Sequence, residues 1–542
     1  MAFPHAHHGG FVGGGYRGGG SSSRGGGSIS PPAKPQSSPQ DVPPSQPAAP
    51  APSQPRANPT NYQKPARRIL LEDSERAIKV SDKIVKVIRN PKHIPDGTKA
   101  YVKLMSKYKI NPTLGGKYFQ GKQLQQQDGK PGPGLGGRTG VVQRLQKKTG
   151  PDDNDVGLVT AEDYENDALW LAEARIGTPP VSYWLDFDTR SADLWVWSSL
   201  LPKKTLKQSG DRAVFTPTDS STYATKQGST WNITYGDGSS ASGTVGYDTV
   251  GLGGLIIKDQ AIELANNLSD SFIQSVGSGL LGLAFSTINT CKPEPVDTPV
   301  DMLIKSNYVR KDAQLFTCLL GSWRDKEDEP DQGESFYTFG YIHQPTVDRC
   351  GGKIFYTPID PSYGWWMFKS ASVTVGSQRV HKRSKNNFAI ADTGTTLALI
   401  DDASCEYIYD QIPGAKYSRD YMGYIYPSSL TEAQLPVVKI DIGGNSVTLQ
   451  KEDLGFADAG NGYTYGGIQS RGDFPIDILG GTFLKAVYAI FDVGNKRFGF
   501  AVRPELKQNL STPGSSEDSS SKKNALDNLL GKNKTVEKQA EL

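Results

Sequence analysis

Leu185-Asp186-Phe187-Asp188-Thr189-Arg190-Ser191 and Ala389-Ile390-Ala391-Asp392-Thr393-Gly394-Thr395-Thr396 are two versions of one pattern. Each is an apolar run ending in Asp-Thr, followed by a tight turn that carries a hydroxyl. Two matched aspartates in one chain suggest a carboxylate dyad. Two carboxylates about 3 Å apart do not both ionise readily, so they come to share a proton. One member of such a pair takes a proton from water while the other donates one to a carbonyl oxygen. The hydroxyls of Ser191 and Thr395 stand three residues after Asp188 and Asp392, placed to donate to the outer carboxylate oxygens. Thr189 and Thr393 are placed to bond across the pair and lock the two loops together. The copies differ at one position, where Gly394 is answered by Arg190.

A lone Asp-Thr is a common turn opener; the second shared marker is what makes the pattern specific. Leu280-Leu281-Gly282 follows the first aspartate and Ile478-Leu479-Gly480 the second, at similar distances downstream. Matched markers at matched spacing predict two lobes related by a pseudo-two-fold axis. Between residues 157 and 502, short runs rich in Val, Ile, Tyr, Phe, Trp and Thr alternate with Gly, Asp, Asn and Ser clusters. That rhythm predicts an all-β architecture.

The flanks read differently. Residues 1–60 are Gly/Ser-rich, then Pro/Ala/Ser/Gln-rich, with too little apolar surface to offset ordering entropy, and a disordered low-complexity tail is expected. Two Arg-Gly-Gly repeats, at Arg17 and Arg24, raise an RNA-binding reading. Two copies are few, so a plain flexible tail is preferred and nucleic acid is not an expected partner. Residues 61–156 form a basic segment and linker, 157–345 and 346–504 the two lobes, and 505–542 a second disordered tail with a short helix expected near 525–530. An exposed dibasic pair, Lys147-Lys148, is a candidate processing site in the linker.

The 542 residues carry a formal charge of +3, unevenly spread. Residues 61–150 hold 20 Lys/Arg against 6 Asp/Glu, a net +14, and residues 151–542 hold 36 against 50, a net −14. A basic segment upstream of an acidic body is expected to be attracted to it. Cys291, Cys318, Cys350 and Cys405 form no C-x-x-C pair, and the six histidines show no metal or triad spacing, so neither a metal nor an organic cofactor is expected. No run approaches the 18 or so apolar residues of a membrane span, and residues 1–30 lack the apolar core of a secretory signal. No membrane partner is expected, and a monomer is.

Taken together, the body from about 157 to 504 resembles a pepsin-type aspartic protease of the fungal penicillopepsin and aspergillopepsin branch. The resemblance rests on Asp188-Thr189-Arg190-Ser191-Ala192-Asp193-Leu194-Trp195-Val196 in the first lobe and on Tyr235-Gly236-Asp237-Gly238-Ser239 in a Gly-rich hairpin. It rests also on the 280–290 stretch, on Asp392-Thr393-Gly394-Thr395-Thr396-Leu397, and on the closing segment from Ile478 to Asp492. It implies a bilobal fold with a cleft between the lobes, catalytic Asp188 and Asp392, and an endopeptidase acting on polypeptides at acid pH. It implies a flap in which Tyr235 covers the substrate with its hydroxyl near Trp195, while Gly236 and Asp237 bond the peptide backbone. Thr396 joins these among the substrate-binding positions. Proton sharing between the two carboxyls is likewise what the resemblance implies.

The segment 90–112, with Ser106-Lys107-Tyr108, resembles the propeptide of such zymogens, which implies that a lysine, here Lys107, pairs with the catalytic carboxylates and is released in acid. Arg190 departs from the family's glycine. A catalytically impaired relative that binds peptides or processes a small molecule is therefore the alternative reading. Family members usually pair a cysteine at the Cys405 position with one near 423–428, where this chain has Ser428, which leaves Cys405 free or differently paired.

Overall fold

The computed structural model describes residues 84–88, 95–116 and 170–511, apart from 211, 235–238, 323, 326–334, 378 and 505–506; for 84–88 it describes the backbone alone. The flap residues Tyr235, Gly236 and Asp237, the dibasic pair, the N-terminal tail and the helix expected near 525–530 lie outside the described residues.

The all-β, bilobal expectation is met. A 13-stranded sheet runs from Phe355–Pro358 at one end to Ala224–Thr234 at the other, and sheets of five, four and four strands complete the second lobe. Strand Val487–Asp492 lies between Leu315–Leu319 and Arg497–Val502 and is buried throughout, which explains its nearly unbroken apolar run. Val181–Asp188 buries alternate residues after its exposed start, as a strand covered on one face does. Strand Ile84–Ile88 belongs to the same sheet, antiparallel to both Phe336–Phe339 and Leu171–Ile176. Where the sheets meet, Phe316, Phe339, Trp366 and Phe491 pack ring on ring, with Phe316 and Phe491 stacked at 4.6 Å. Fully burying each such ring contributes about 1.5–3 kcal/mol.

The two aspartate loops are built alike. Val181–Asp188 runs parallel to Gly279–Gly282, with Asp188 opposite Gly282, and Leu194–Trp197 returns antiparallel along the same strand. In the second lobe Phe388–Ala391 runs parallel to Asp477–Leu479, and Ala398–Ile400 returns antiparallel along it. Each apolar-apolar-Gly marker is thus the strand that passes between the two arms of its own aspartate loop. The glycine is required by close approach. A Cβ at Gly282 would lie 2.5 Å from the Ser191 carbonyl oxygen, and one at Gly480 would lie 2.2 Å from that of Thr395.

Cys291, Cys318 and Cys405 are buried free thiols. Ser428 bonds Thr464 at 2.9 Å instead of offering a sulfur, and Cys405 is buried against the Ile400 carbonyl. Residues 507–511, read above as part of a polar tail, instead dock on the body. The Asn509 N–H donates to buried Glu452 at 2.8 Å, and Arg324, also buried, donates to the Ser511 carbonyl at 3.0 Å. These inward-facing charges need partners, and this backbone supplies them. Among the described residues no helix is long and apolar enough to cross a membrane.

Behind the first loop, Asp193 and Glu263 are fully buried together. Asp193 accepts from Thr290 at 2.9 and 2.6 Å, and Glu263 accepts from Asn289 at 2.9 Å. Burial, then the neighbouring Asp193, pushes the Glu263 carboxyl well above its ordinary range. Such a raised group contributes stability that is complete below the ordinary carboxylate pKa and is lost as pH rises through the raised value. Glu263→Gln keeps a donor there without titrating. Thermal melts are expected to show a smaller loss of Tm between about pH 5 and pH 8 in the variant than in the native chain; parallel losses would refute the raised carboxyl.

Candidate active site

The strand-loop-strand arms bring Asp188 and Asp392 to one point, both 1 % exposed or less. Their surroundings repeat across a pseudo-two-fold axis. Ser191 Oγ donates to Asp188 Oδ2 at 2.9 Å, and Thr395 Oγ1 donates to Asp392 Oδ2 at 2.7 Å. The backbone N–H of Arg190 donates to Asp188 Oδ1 at 2.9 Å, and that of Gly394 to Asp392 Oδ1 at 3.0 Å. The loops are clamped through their threonines. The Thr189 N–H donates to Thr393 Oγ1 and the Thr393 N–H to Thr189 Oγ1, both at 3.0 Å; the two hydroxyls then donate to the Ala391 and Phe187 carbonyls of the opposite lobe. A Cβ at Gly394 would lie 2.6 Å from Asp188 Oδ1, which measures how tightly the loops approach.

Arg190 takes no left-handed backbone angle and retains the N–H bond that a glycine would make. Its side chain leaves the dyad. The guanidinium lies 3.9 Å from the centroid of the Tyr108 ring and 5.0 Å from that of Trp365. In the sequence this side chain is marked only as a departure from its glycine twin. The geometry shows stacking, with its field still reaching Asp392.

The cleft is occupied by the chain's own segment 95–116. Helix Gly97–Lys107 is capped by Asp96, whose side chain accepts from the Lys99 N–H at 3.0 Å. Its apolar face, Tyr101, Leu104 and Met105, packs with Ile390, Ile425 and Tyr465 of the second lobe. Tyr101 donates to the Ser470 carbonyl at 2.8 Å and Asn111 clasps Asp473 at 2.8 and 2.7 Å. The helix ends at the dyad. Lys107 Nζ donates to the Gly394 carbonyl at 2.6 Å, and the Tyr108 hydroxyl donates to Asp392 Oδ2 at 2.5 Å and contacts Thr395 Oγ1.

The charges divide unevenly. Burial, then the charge of Asp392, raises Asp188 against the opposing pull of Lys107. Burial would raise Asp392 too, but Lys107, Arg190 and the Tyr108 and Thr395 hydroxyls outweigh it and hold this carboxyl below its ordinary range. Burial would lower Lys107, yet Tyr108 and the carboxylates of Asp188, Asp392 and Asp186 keep it charged. Asp186 is pushed up to about 7, by burial and then by Asp188, with Lys107 and Lys103 opposing.

Trp195 is buried, stacks on Trp231 at 6.1 Å, and its Nε1 meets no acceptor among the described residues. Thr396 is half-buried beside the second loop. The residue-by-residue reading did not single out Tyr108, Asp186 or Trp365. Asp186 had a signal, since residues i and i+2 of a strand share a face and Asp186 must side with Asp188. Tyr108 is marked only by its place in Ser106-Lys107-Tyr108 and Trp365 by nothing local, because each matters through a partner distant in sequence.

A family model described as Eukaryotic aspartyl protease matches residues 170–503. The chain is 40 % identical over 348 residues to Aspergillopepsin-1 of Aspergillus pseudoglaucus, covering 64 % of this chain and 82 % of that one. It is 38 % identical over 348 residues to Penicillopepsin-1 of Penicillium janthinellum, covering 64 % and 98 %. Among solved structures, the crystal structure of an aspartic proteinase from Irpex lacteus superposes with a TM-score of 0.50 at 24 % identity, over 64 % of this chain and 97 % of that one.

Proposed function

The chain belongs to the eukaryotic aspartyl protease family and is an aspartic endopeptidase acting on polypeptides, and we propose that Asp188 and Asp392 perform its hydrolysis while segment 95–116 holds it as a zymogen. The observation that supports this most is the symmetric hydrogen bonding of the two carboxyls, capped by Lys107 and Tyr108. Asp392, held ionised, takes a proton from the attacking water. Asp188, protonated, donates one to the substrate carbonyl oxygen. The resulting diol collapses with a proton delivered to the amide nitrogen, with no covalent intermediate. Arg190 favours this division of labour, because its positive field lowers Asp392.

In the zymogen the Tyr108 hydroxyl stands where the dyad would meet water and substrate, and Lys107 neutralises the carboxylates around it. The test is cleavage of an unfolded protein substrate by the full chain. Activity is expected to appear after exposure to about pH 3–4, with segment 95–116 released, and to be blocked by a hydroxyl-bearing transition-state mimic. Release of the segment without any cleavage would overturn the assignment of the dyad.

A further inference from the structure

Arg190 has a second role that the dyad does not use. Its guanidinium makes no ion pair among the described residues, and its buried Nε has no hydrogen-bond partner. Rings surround it instead: Tyr108 at 3.9 Å, Trp365 at 5.0 Å, and behind Trp365 the stacked ring of Tyr363 at 5.8 Å and 18°. Beside Tyr108, Phe474 lies 6.1 Å away, centroid to centroid. The Tyr108 ring therefore has a guanidinium and a phenyl ring as neighbours, with its hydroxyl on Asp392.

We infer that, once Tyr108 leaves, Arg190 with Trp365 and Phe474 forms a specificity subsite for an aromatic side chain of the substrate, on the residue flanking the scissile bond on the Asp392 side. This rests on the reading that segment 95–116 quits the cleft. The reasoning is geometric. A scissile carbonyl can reach the dyad only by displacing the Tyr108 hydroxyl, and the neighbouring substrate side chain then enters the space of its ring. That space is bounded by a planar cation held against Trp365. A planar cation attracts the face of a ring, worth a few-fold to tens-fold in affinity where water is excluded, and gives an aliphatic chain only contact area. A glycine at 190 would leave that side of the space without a cation.

The test uses the full chain after acid release of the segment, with two peptides identical except for Phe or Leu at that flanking position. Each is made both as a substrate and as a non-cleavable analogue whose scissile amide is reduced. The native protein is expected to favour Phe over Leu roughly tenfold, in kcat/KM and in analogue Kd. Arg190→Gly is expected to bring both ratios near one, and Arg190→Lys, which keeps charge but loses the planar face, to fall between. Equal binding of the two analogues by the native protein overturns the inference. So does a native preference for Glu at that position, which would mean ion pairing in place of stacking. Selective binding of the Phe analogue without cleavage of any peptide would sustain the subsite and refute the catalytic assignment of the dyad.

Discussion

Asp392→Asn is expected to lower kcat for peptide cleavage roughly 10⁴-fold while the protein still folds. The substitution preserves shape. The side-chain oxygen of the introduced amide continues to accept the Gly394 N–H that now bonds Oδ1 at 3.0 Å, and the amide group fits the space beside Thr395. What is lost is basicity, since an amide takes no proton from water. The cross-lobe threonine bonds do not involve the aspartate side chains and persist. Adding Asp188→Asn is expected to cost little more, because the two carboxyls act as one device and their losses do not add. Steady-state kinetics on a peptide, with a thermal melt as the control for folding, decides the matter. A variant retaining more than about a hundredth of native kcat would remove Asp392 from the chemistry.

Lys107→Ala is expected to loosen segment 95–116 from the two aspartates at neutral pH. Without the ammonium, Asp186, Asp188 and Asp392 face one another beneath a segment that has lost its strongest cation there, with Lys103 still acting on Asp186. Removing one partner of a buried charge cluster costs about 3–5 kcal/mol. That cost falls on the docked state, because an open cleft lets water solvate the carboxylates. In the native chain Asp392 is held low, so its contribution is present above the ordinary carboxylate pKa and is lost as pH falls through the depressed value. Asp186 works in the opposite sense. Its carboxyl lies near 7, so its contribution is complete below the ordinary value and is lost as pH rises through about 7. The native chain is therefore expected to be most stable in the weakly acidic window between these limits and to lose hold of the segment as pH falls below it. Peptide cleavage measured across pH, with the segment followed by limited proteolysis, reads both effects. A segment that stays as protected from limited proteolysis in Lys107→Ala as in the native chain above about pH 6 would show that Lys107 does not hold it.

How far the chain announces itself depends on the reach of each interaction. Asp188, Ser191, Asp392 and Thr395 stand out because a carboxylate and the hydroxyl that serves it are three residues apart, and such a pattern repeats visibly when a lobe is duplicated. The glycines at 282 and 480 are legible for the same reason, each marking the strand that threads its loop. The strands followed from β-branched and aromatic runs broken by turn residues. The charge split between the basic segment and the acidic body foretold attraction, though not the point of contact.

Tertiary structure decided the rest. Tyr108 reaches Asp392 across 284 positions and Lys107 reaches Gly394 across 287, so no window of sequence contains both partners. Arg190 appears in sequence only as a departure from its twin. Its backbone keeps the loop intact while its side chain, too long for the space at the carboxylates, is drawn onto aromatic faces contributed by two remote segments. Local chemistry determined which residues could form a dyad. The packing of distant rings and charges determined what covers that dyad and where the odd arginine points, because those energies exist only between surfaces that folding brings together.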